Sequence, residues 1–155
     1  MVQILLSIKL DILDRKILNK LQKNARVPFS SIARELGVDE ATVRYRVKKL
    51  TAEGVITEFT ILLDPVKIGF SATAIIMVKI DPMLFEKAST QISDFDETYH
   101  VFQSTGEHDL VAVVHTRDME HLSELRKKVE MVSGVRDVFV SATIRLIKIK
   151  TIFEL

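Results

Sequence analysis

Apolar residues recur at helical spacing early in the chain. Leu13, Ile17 and Leu21 repeat every four positions, with Arg15, Lys16 and Lys20 between them, which predicts an amphipathic helix. Asp11 has a side chain suited to cap the free amides of its first turn, and Asp14 adds negative charge where the helix dipole favours it. Asn24 ends the pattern. Pro28 can open a second helix, because proline is tolerated in a first turn. Ile32, Ala33 and Leu36 form the apolar side of that helix. Gly37 supplies a tight turn, and Asp39 caps a third helix on which Val43, Val47 and Leu50 bury one face before Gly54 stops it. Three short helices over residues 11–54, the last two joined by a glycine turn, form a helix-turn-helix arrangement.

The period then changes. Val55 to Leu63 is β-branched and extended, and Asp64-Pro65 breaks it. The sequence therefore predicts a helix-turn-helix domain over 1–56, a linker strand over 57–70 and a second domain over 71–155. Ser71 to Ile80 alternates, with Ala72, Ala74, Ile76, Val78 and Ile80 on one side. Pro82 opens a helix running to about Phe95. Thr98 to Thr105 and Leu110 to His115 form a hairpin around Gly106. Asp118 caps a helix striped by Leu122, Leu125, Val129 and Val132, which Gly134 ends, and Val135 to Ile149 is a long last strand. The order βαββαβ is the ferredoxin-like unit, and the fold class is α+β. Helices cover one face of such a sheet. The other face carries Thr73, Ile75, Met77 and Phe139, together with Ile147 and Ile149, and is too apolar to meet water. It predicts a homodimer or larger homo-oligomer.

Composition narrows the function. With 47% hydrophobic and 28% charged residues the chain reads as globular, and the absence of cysteine excludes disulfides and thiol chemistry. Met1 to Ile8 is apolar, but it lacks a basic n-region and is too short for a signal peptide or a membrane span. The expectation is a cytoplasmic protein with no membrane partner. The net charge of +1 hides an asymmetry: residues 1–62 hold 11 Lys and Arg against 7 Asp and Glu, and the remainder 11 against 14. A basic first part suits contact with a polyanion.

An α-helix fits the DNA major groove, and its N-terminal half reaches base edges. Opposite Val43, Val47 and Leu50, the third helix presents Ala41, Thr42, Arg44, Tyr45, Lys48 and Lys49. Thr42, Arg44 and Tyr45 are the candidates for base or groove contact, Ala41 for a thymine methyl, and Lys48 and Lys49 for phosphate. Arg46 points toward the edge of the buried face, where a salt bridge steadying the helices is its expected role. No P-loop, GxSxG or HExxH motif is present. His100, His108, His115 and His121 show no tight ligand spacing. Neither an enzyme, a metal site nor a cofactor is expected.

Leu10 to Ile56, LDILDRKILNKLQKNARVPFSSIARELGVDEATVRYRVKKLTAEGVI, resembles the helix-turn-helix segment of the Lrp/AsnC (leucine-responsive, feast/famine) transcription regulators. The βαββαβ order and the hairpin motif Thr105-Gly106-Glu107-His108-Asp109 extend the resemblance over nearly the whole chain. It implies double-stranded DNA as a partner and an amino-acid effector bound at the hairpin, between dimers, with Ser141 and Thr143 as further ligand positions. The chemistry of the hairpin is compatible: a glycine turn offers amides to a carboxylate, and Asp109 suits an ammonium group. Glu107 and His108 can both hydrogen-bond, which favours a polar amino acid such as glutamine. Two other readings stay open at this point: an architectural DNA-binding protein with no effector, and a ferredoxin-like small-molecule-binding enzyme.

Overall fold

The computed structural model describes residues 8–155, so the apolar N-terminal stretch, apart from Ile8, lies outside the described residues. Helix α1 (Ile12–Lys23) opens at Asp11, whose carboxylate accepts from the Asp14 amide while the Asp14 carboxylate accepts from the Asp11 amide. This reciprocal cap satisfies two of the donors that a helix start leaves free. Helix α2 (Phe29–Leu36) follows, with Pro28 at the cap position, one residue before the helix rather than within it. Gly37 then adopts φ +66°, a left-handed conformation that glycine enters without penalty, and turns the chain into α3 (Glu40–Ala52). Asp39 occupies the cap position of α3, but its side chain makes no capping hydrogen bond. Ile17, Leu21, Ile32, Ala33, Val43 and Val47 form the core of this three-helix unit.

The second unit is a four-stranded antiparallel sheet of order β2-β3-β1-β4. Its strands are β1 (Ala72–Ile80), β2 (Thr98–Gln103), β3 (Leu110–Thr116) and β4 (Val135–Ala142). Helices α4 (Phe85–Ser93) and α5 (Met119–Glu130) pack on it. The expected first helix after β1 is divided: Pro82–Leu84 is a single 3₁₀ turn in which the Asp81 carboxylate caps the Met83 amide, and α4 begins only at Phe85. Alternation along β1 buries Ala72, Ala74, Ile76, Val78 and Ile80, the last four in one core with Ala88, Ile92, Leu122, Leu125 and Val129 of the two helices. The opposite face carries Ile75, Met77, Phe102 and Phe139, with Ile75, Phe102 and Phe139 exposed.

Three expectations change. The last strand ends at Ala142, not Ile149, because the ladder between β1 and β4 closes at Ala74 opposite Ala142. One further bond, from the Thr143 amide to the Thr73 carbonyl, follows. Ile147 and Ile149 therefore do not lie on the open sheet face. Among the described residues the stretch 57–64 joins no strand, since its β-branched residues find no ladder there to pair with. The division into units also differs from the expected one. One unit comprises Met1–Leu62 with Ile149–Leu155, the other Leu63–Lys148. The tail belongs with the helices because Gln22 brackets Phe153, donating to its carbonyl at 3.2 Å and accepting from its amide at 2.7 Å, while Asn19 donates to the Leu155 carbonyl. Among the described residues no helix is long and apolar enough to cross a membrane.

Candidate nucleic-acid interface and effector hairpin

Helix α3 separates two sets of side chains. Val43, Val47 and Leu50 are buried, while Ala41, Arg44, Tyr45, Lys48 and Lys49 are exposed and Thr42 is half-buried. Tyr45 is 64% exposed, a large aromatic ring with no packing role to explain it. Arg44 reaches back one turn to Glu40 at 2.5 Å and lies 5.6 Å from the centroid of the Phe29 ring. Lys49 pairs with Glu53 at 3.8 Å. Lys48 makes no ion pair among the described residues. The predicted face thus exists as one surface, with a hydroxyl, an aromatic ring and three cations on two successive turns.

Arg46 takes the structural role expected of it. Its guanidinium donates to Asp11 at 2.5 Å and to Asp14 at 3.2 Å, joining α3 to the capping box of α1. The Asp14 amide, then the Arg46 guanidinium, hold the Asp11 carboxyl below its ordinary range, and Asp11 in turn raises Arg46. The Glu40–Arg44 pair was legible as an i,i+4 spacing, but its combination with Phe29 depends on how α2 packs beside α3 and carries no local signal.

The hairpin expected to hold the effector joins β2 to β3 through residues 104–109. Its amides are unevenly available. The Gly106 amide donates to Ser104 Oγ at 3.3 Å and the Asp109 amide to the Val78 carbonyl at 3.0 Å. Those of Thr105, Glu107 and His108 make no hydrogen bond among the described residues. Gly106 lies outside the left-handed region, and a methyl group there would meet only Ser104 Oγ, at 3.5 Å. The turn therefore does not require glycine for its conformation. Asp109 is half-buried, and its Oδ2 accepts from the Ile80 amide at 2.8 Å, at the irregularity where the β1–β4 register shifts. One carboxylate oxygen is thus already committed to the sheet. Glu107 pairs with Lys79 at 3.3 Å, and the His108 ring tilts toward Phe139, 6.2 Å between centroids.

Ser141 and Thr143 are not brought to this hairpin. Ser141 stands opposite Ile75 on β1, whereas Asp109 bonds at the level of Val78 and Ile80. At about 3.3 Å per residue the offset along the strands alone is roughly 10–17 Å. Two clefts open elsewhere. One of ≈ 410 Å³ lies between α1, residues 55–60 and the tail, and one of ≈ 260 Å³ lies between α4 and β2. Neither contains any of the seven residues expected at the effector site.

On the rest of the open sheet face, His115 contacts Thr73 Oγ1 at 2.8 Å, and Tyr99 stacks edge-on at 4.6 Å. Burial, and then the neighbouring His100, hold its pKa below the ordinary value. His121 contacts Glu97 at 2.8 Å and lies near Arg117, in a satisfied structural network. Burial opposes the charge on Glu97, but the contacts from His121 and Lys128 outweigh it and lower its pKa. Among the described residues no group of three or more His, Cys, Asp or Glu could hold a metal ion.

Profiles of two known domains match the chain: the AsnC-type helix-turn-helix domain over residues 10–51 and the Lrp/AsnC ligand-binding domain over residues 73–153. Among curated proteins, the chain is 39% identical to the HTH-type transcriptional regulator Ptr1 of Methanocaldococcus jannaschii over 140 residues, 90% of this chain and 95% of that protein. It is 36% identical to the HTH-type transcriptional regulator LrpA of Pyrococcus horikoshii over 126 residues, 81% of this chain and 89% of that one. Among solved structures, E. coli AsnC superposes with a TM-score of 0.87 at 24% identity, covering 94% of this chain and 99% of that one. A Neisseria meningitidis transcriptional regulator, solved as a complex with L-methionine, superposes with a TM-score of 0.84 at 26% identity, covering 92% and 95%.

Proposed function

The chain belongs to the Lrp/AsnC family of DNA-binding transcription regulators, and from that premise we propose that it recognises specific DNA sequences through α3 as a homo-oligomer and responds to an amino acid. It is a regulator rather than an enzyme, and it works where the DNA is, in the cytoplasm. The observation that carries the reading is the exposed face of α3. Arg44 and Tyr45 project from the second helix of a helix-turn-helix, beside Thr42 and Ala41, with Lys48 and Lys49 one turn on. Base contacts by the first four residues give sequence preference, and the two lysines meet phosphate. The open sheet face supports self-association: Ile75, Met77, Phe102 and Phe139 form an apolar surface that no helix of the same unit covers.

The sensing site is the hairpin Thr105 to Asp109. The unpaired amides of Thr105, Glu107 and His108 suit a carboxylate, and the remaining oxygen of Asp109 suits an ammonium group. Because Ser141 and Thr143 are distant from this hairpin within one chain, they join it only from another copy, which ties ligand binding to assembly. A ligand shifts assembly only by its differential affinity for the two states, typically about 1–3 kcal/mol. The N. meningitidis regulator was solved with methionine; here the polar Glu107 and His108 favour glutamine. The test is a DNA mobility shift at physiological salt with the wild type and the Arg44→Ala, Tyr45→Ala double variant, paired with calorimetric titration of glutamine and the other amino acids. Loss of sequence preference in the variant and saturable heat from an amino acid support the reading. Unchanged preference rejects the α3 face, and silence with every amino acid at millimolar concentration rejects the sensor.

A further inference from the structure

Arg44 does not project freely from α3. Its Nη2 donates to Glu40 Oε1 at 2.5 Å, and its guanidinium carbon sits 5.6 Å from the centroid of Phe29. Phe29 is itself fixed: it begins α2 and packs against the core formed by Ile17, Ile32 and Val43. A long arginine on a helix surface samples many rotamers, whereas this one is held from two sides by groups that belong to two different helices. The arrangement leaves most of the guanidinium available, since the side chain is still 65% exposed and only one of its five N–H donors is committed to Glu40.

We propose that Glu40 and Phe29 are specificity-determining residues that act through Arg44, holding its guanidinium as a preset fork for a base edge rather than a mobile charge for phosphate. The proposal rests on α3 being the helix that enters the groove. A guanidinium hydrogen-bonded to a carboxylate and set over an aromatic ring is restricted in orientation, and its remaining donors suit the two acceptors of guanine O6 and N7. Glu40 has a second effect. A carboxylate carried into the groove is repelled by phosphates on every sequence, and that repulsion is offset only where Arg44 finds its matching base. Together the pair suppresses binding to random DNA more than binding to the operator.

Neither residue contacts DNA in this scheme, so both are positioning residues, and their signature is a loss of discrimination at one base pair. The experiment selects bound sites from random DNA with the full-length wild type and with Arg44→Ala, Glu40→Gln and Phe29→Leu, the melting temperature of each being recorded. Leucine keeps the apolar packing of Phe29 and removes only the ring. Arg44→Ala identifies the base pair that Arg44 reads. At that position, and at no other, Glu40→Gln and Phe29→Leu are expected to reduce discrimination by about tenfold, the order of one good base contact. Glu40→Gln should also bind random DNA more tightly, with the salt dependence steeper by up to about one phosphate, because the freed Arg44 finds the backbone. If Arg44→Ala alters one position while Glu40→Gln and Phe29→Leu leave it unchanged, whatever their melting temperatures, the positioning role is overturned and the assignment of α3 stands. If Arg44→Ala alters no position, both fall.

Discussion

Asp109 holds the Ile80 amide and is proposed to hold the ammonium group of a ligand, and a pair of substitutions separates the two. Its Oδ2 accepts from the Ile80 amide at 2.8 Å, and Ile80 is only 2% exposed. That amide faces β3, whose ladder with β1 ends at Val78 opposite Leu110, so no strand carbonyl stands opposite to take its hydrogen. Asp109→Ala leaves the donor unpaired in a buried strand end. The penalty for a buried, unsatisfied backbone group is about 1–3 kcal/mol. For a unit of this size, each kcal/mol lowers the melting temperature by roughly 4–8 °C. Asp109→Asn keeps an oxygen acceptor and removes only the charge, so its cost is expected to be about 1 kcal/mol or less. Urea unfolding of the three full-length proteins at one concentration measures both. If the carboxylate also takes an ammonium group, Asp109→Asn should fold normally and bind an amino acid poorly, whereas Asp109→Ala should fail on both counts. A midpoint for Asp109→Ala equal to that of wild type would refute the structural half of this reasoning. Undiminished ligand binding by Asp109→Asn would refute the other half.

Arg46→Ala should lower the melting temperature of the helical unit, because it strips Asp14, which is 4% exposed, of its cationic partner, whereas Arg44→Ala should leave stability nearly unchanged; equal effects in thermal scans would contradict the division of the two arginines. Phe139→Asp places a charge on the apolar sheet face, on the edge strand β4, and should raise the dissociation constant of the proposed dimer by ~30-fold or more, as loss of an interface hot spot does; light scattering that gives the wild-type mass at low micromolar protein would contradict the interface. His115 is held below its ordinary pKa, so as pH falls the unfolded chain takes up the proton first, and the stability it contributes is complete above about pH 6.5 and is lost as pH falls through the folded value. His115→Gln should therefore flatten the stability profile as pH falls below about 6.5, above the window in which Glu97 loses its own contribution; an unchanged profile would exclude His115 as its source.

Much of this fold was legible because its signals are local. The Asp11 cap, the Gly37 turn, the stripe of α5 and the alternation of β1 each depend on residues within a few positions of one another, and each stands where the sequence put it. What was missed depends on distant partners. Residues 143–149 alternate like a strand, yet a strand needs a ladder, and β1 runs out at Ala72. The seating of the tail beside α1 hinges on Gln22, an ordinary helix-surface residue by pattern, which meets Phe153 across 131 positions. The same holds for the candidate sites. The outward face of α3 follows from helical periodicity alone. The engagement of Asp109 with Ile80, and the restraint of Arg44 by Phe29, are packing events with no periodic signature. The hairpin motif could be found in the sequence, but not the fact that its aspartate is half spent on the sheet.

Sequence-specific recognition through α3 by a symmetric assembly stands or falls with selection of bound sites from random double-stranded DNA at fixed, physiological salt. The expected product is an enriched, near-palindromic motif whose half-sites lie about one helical turn, roughly 34 Å, or a multiple of that apart. The Arg44→Ala, Tyr45→Ala double variant, folded as judged by its melting curve, should lose that enrichment while keeping weak, salt-sensitive binding through Lys48 and Lys49. A pool that emerges without any motif, or the same motif recovered by the double variant, would contradict it.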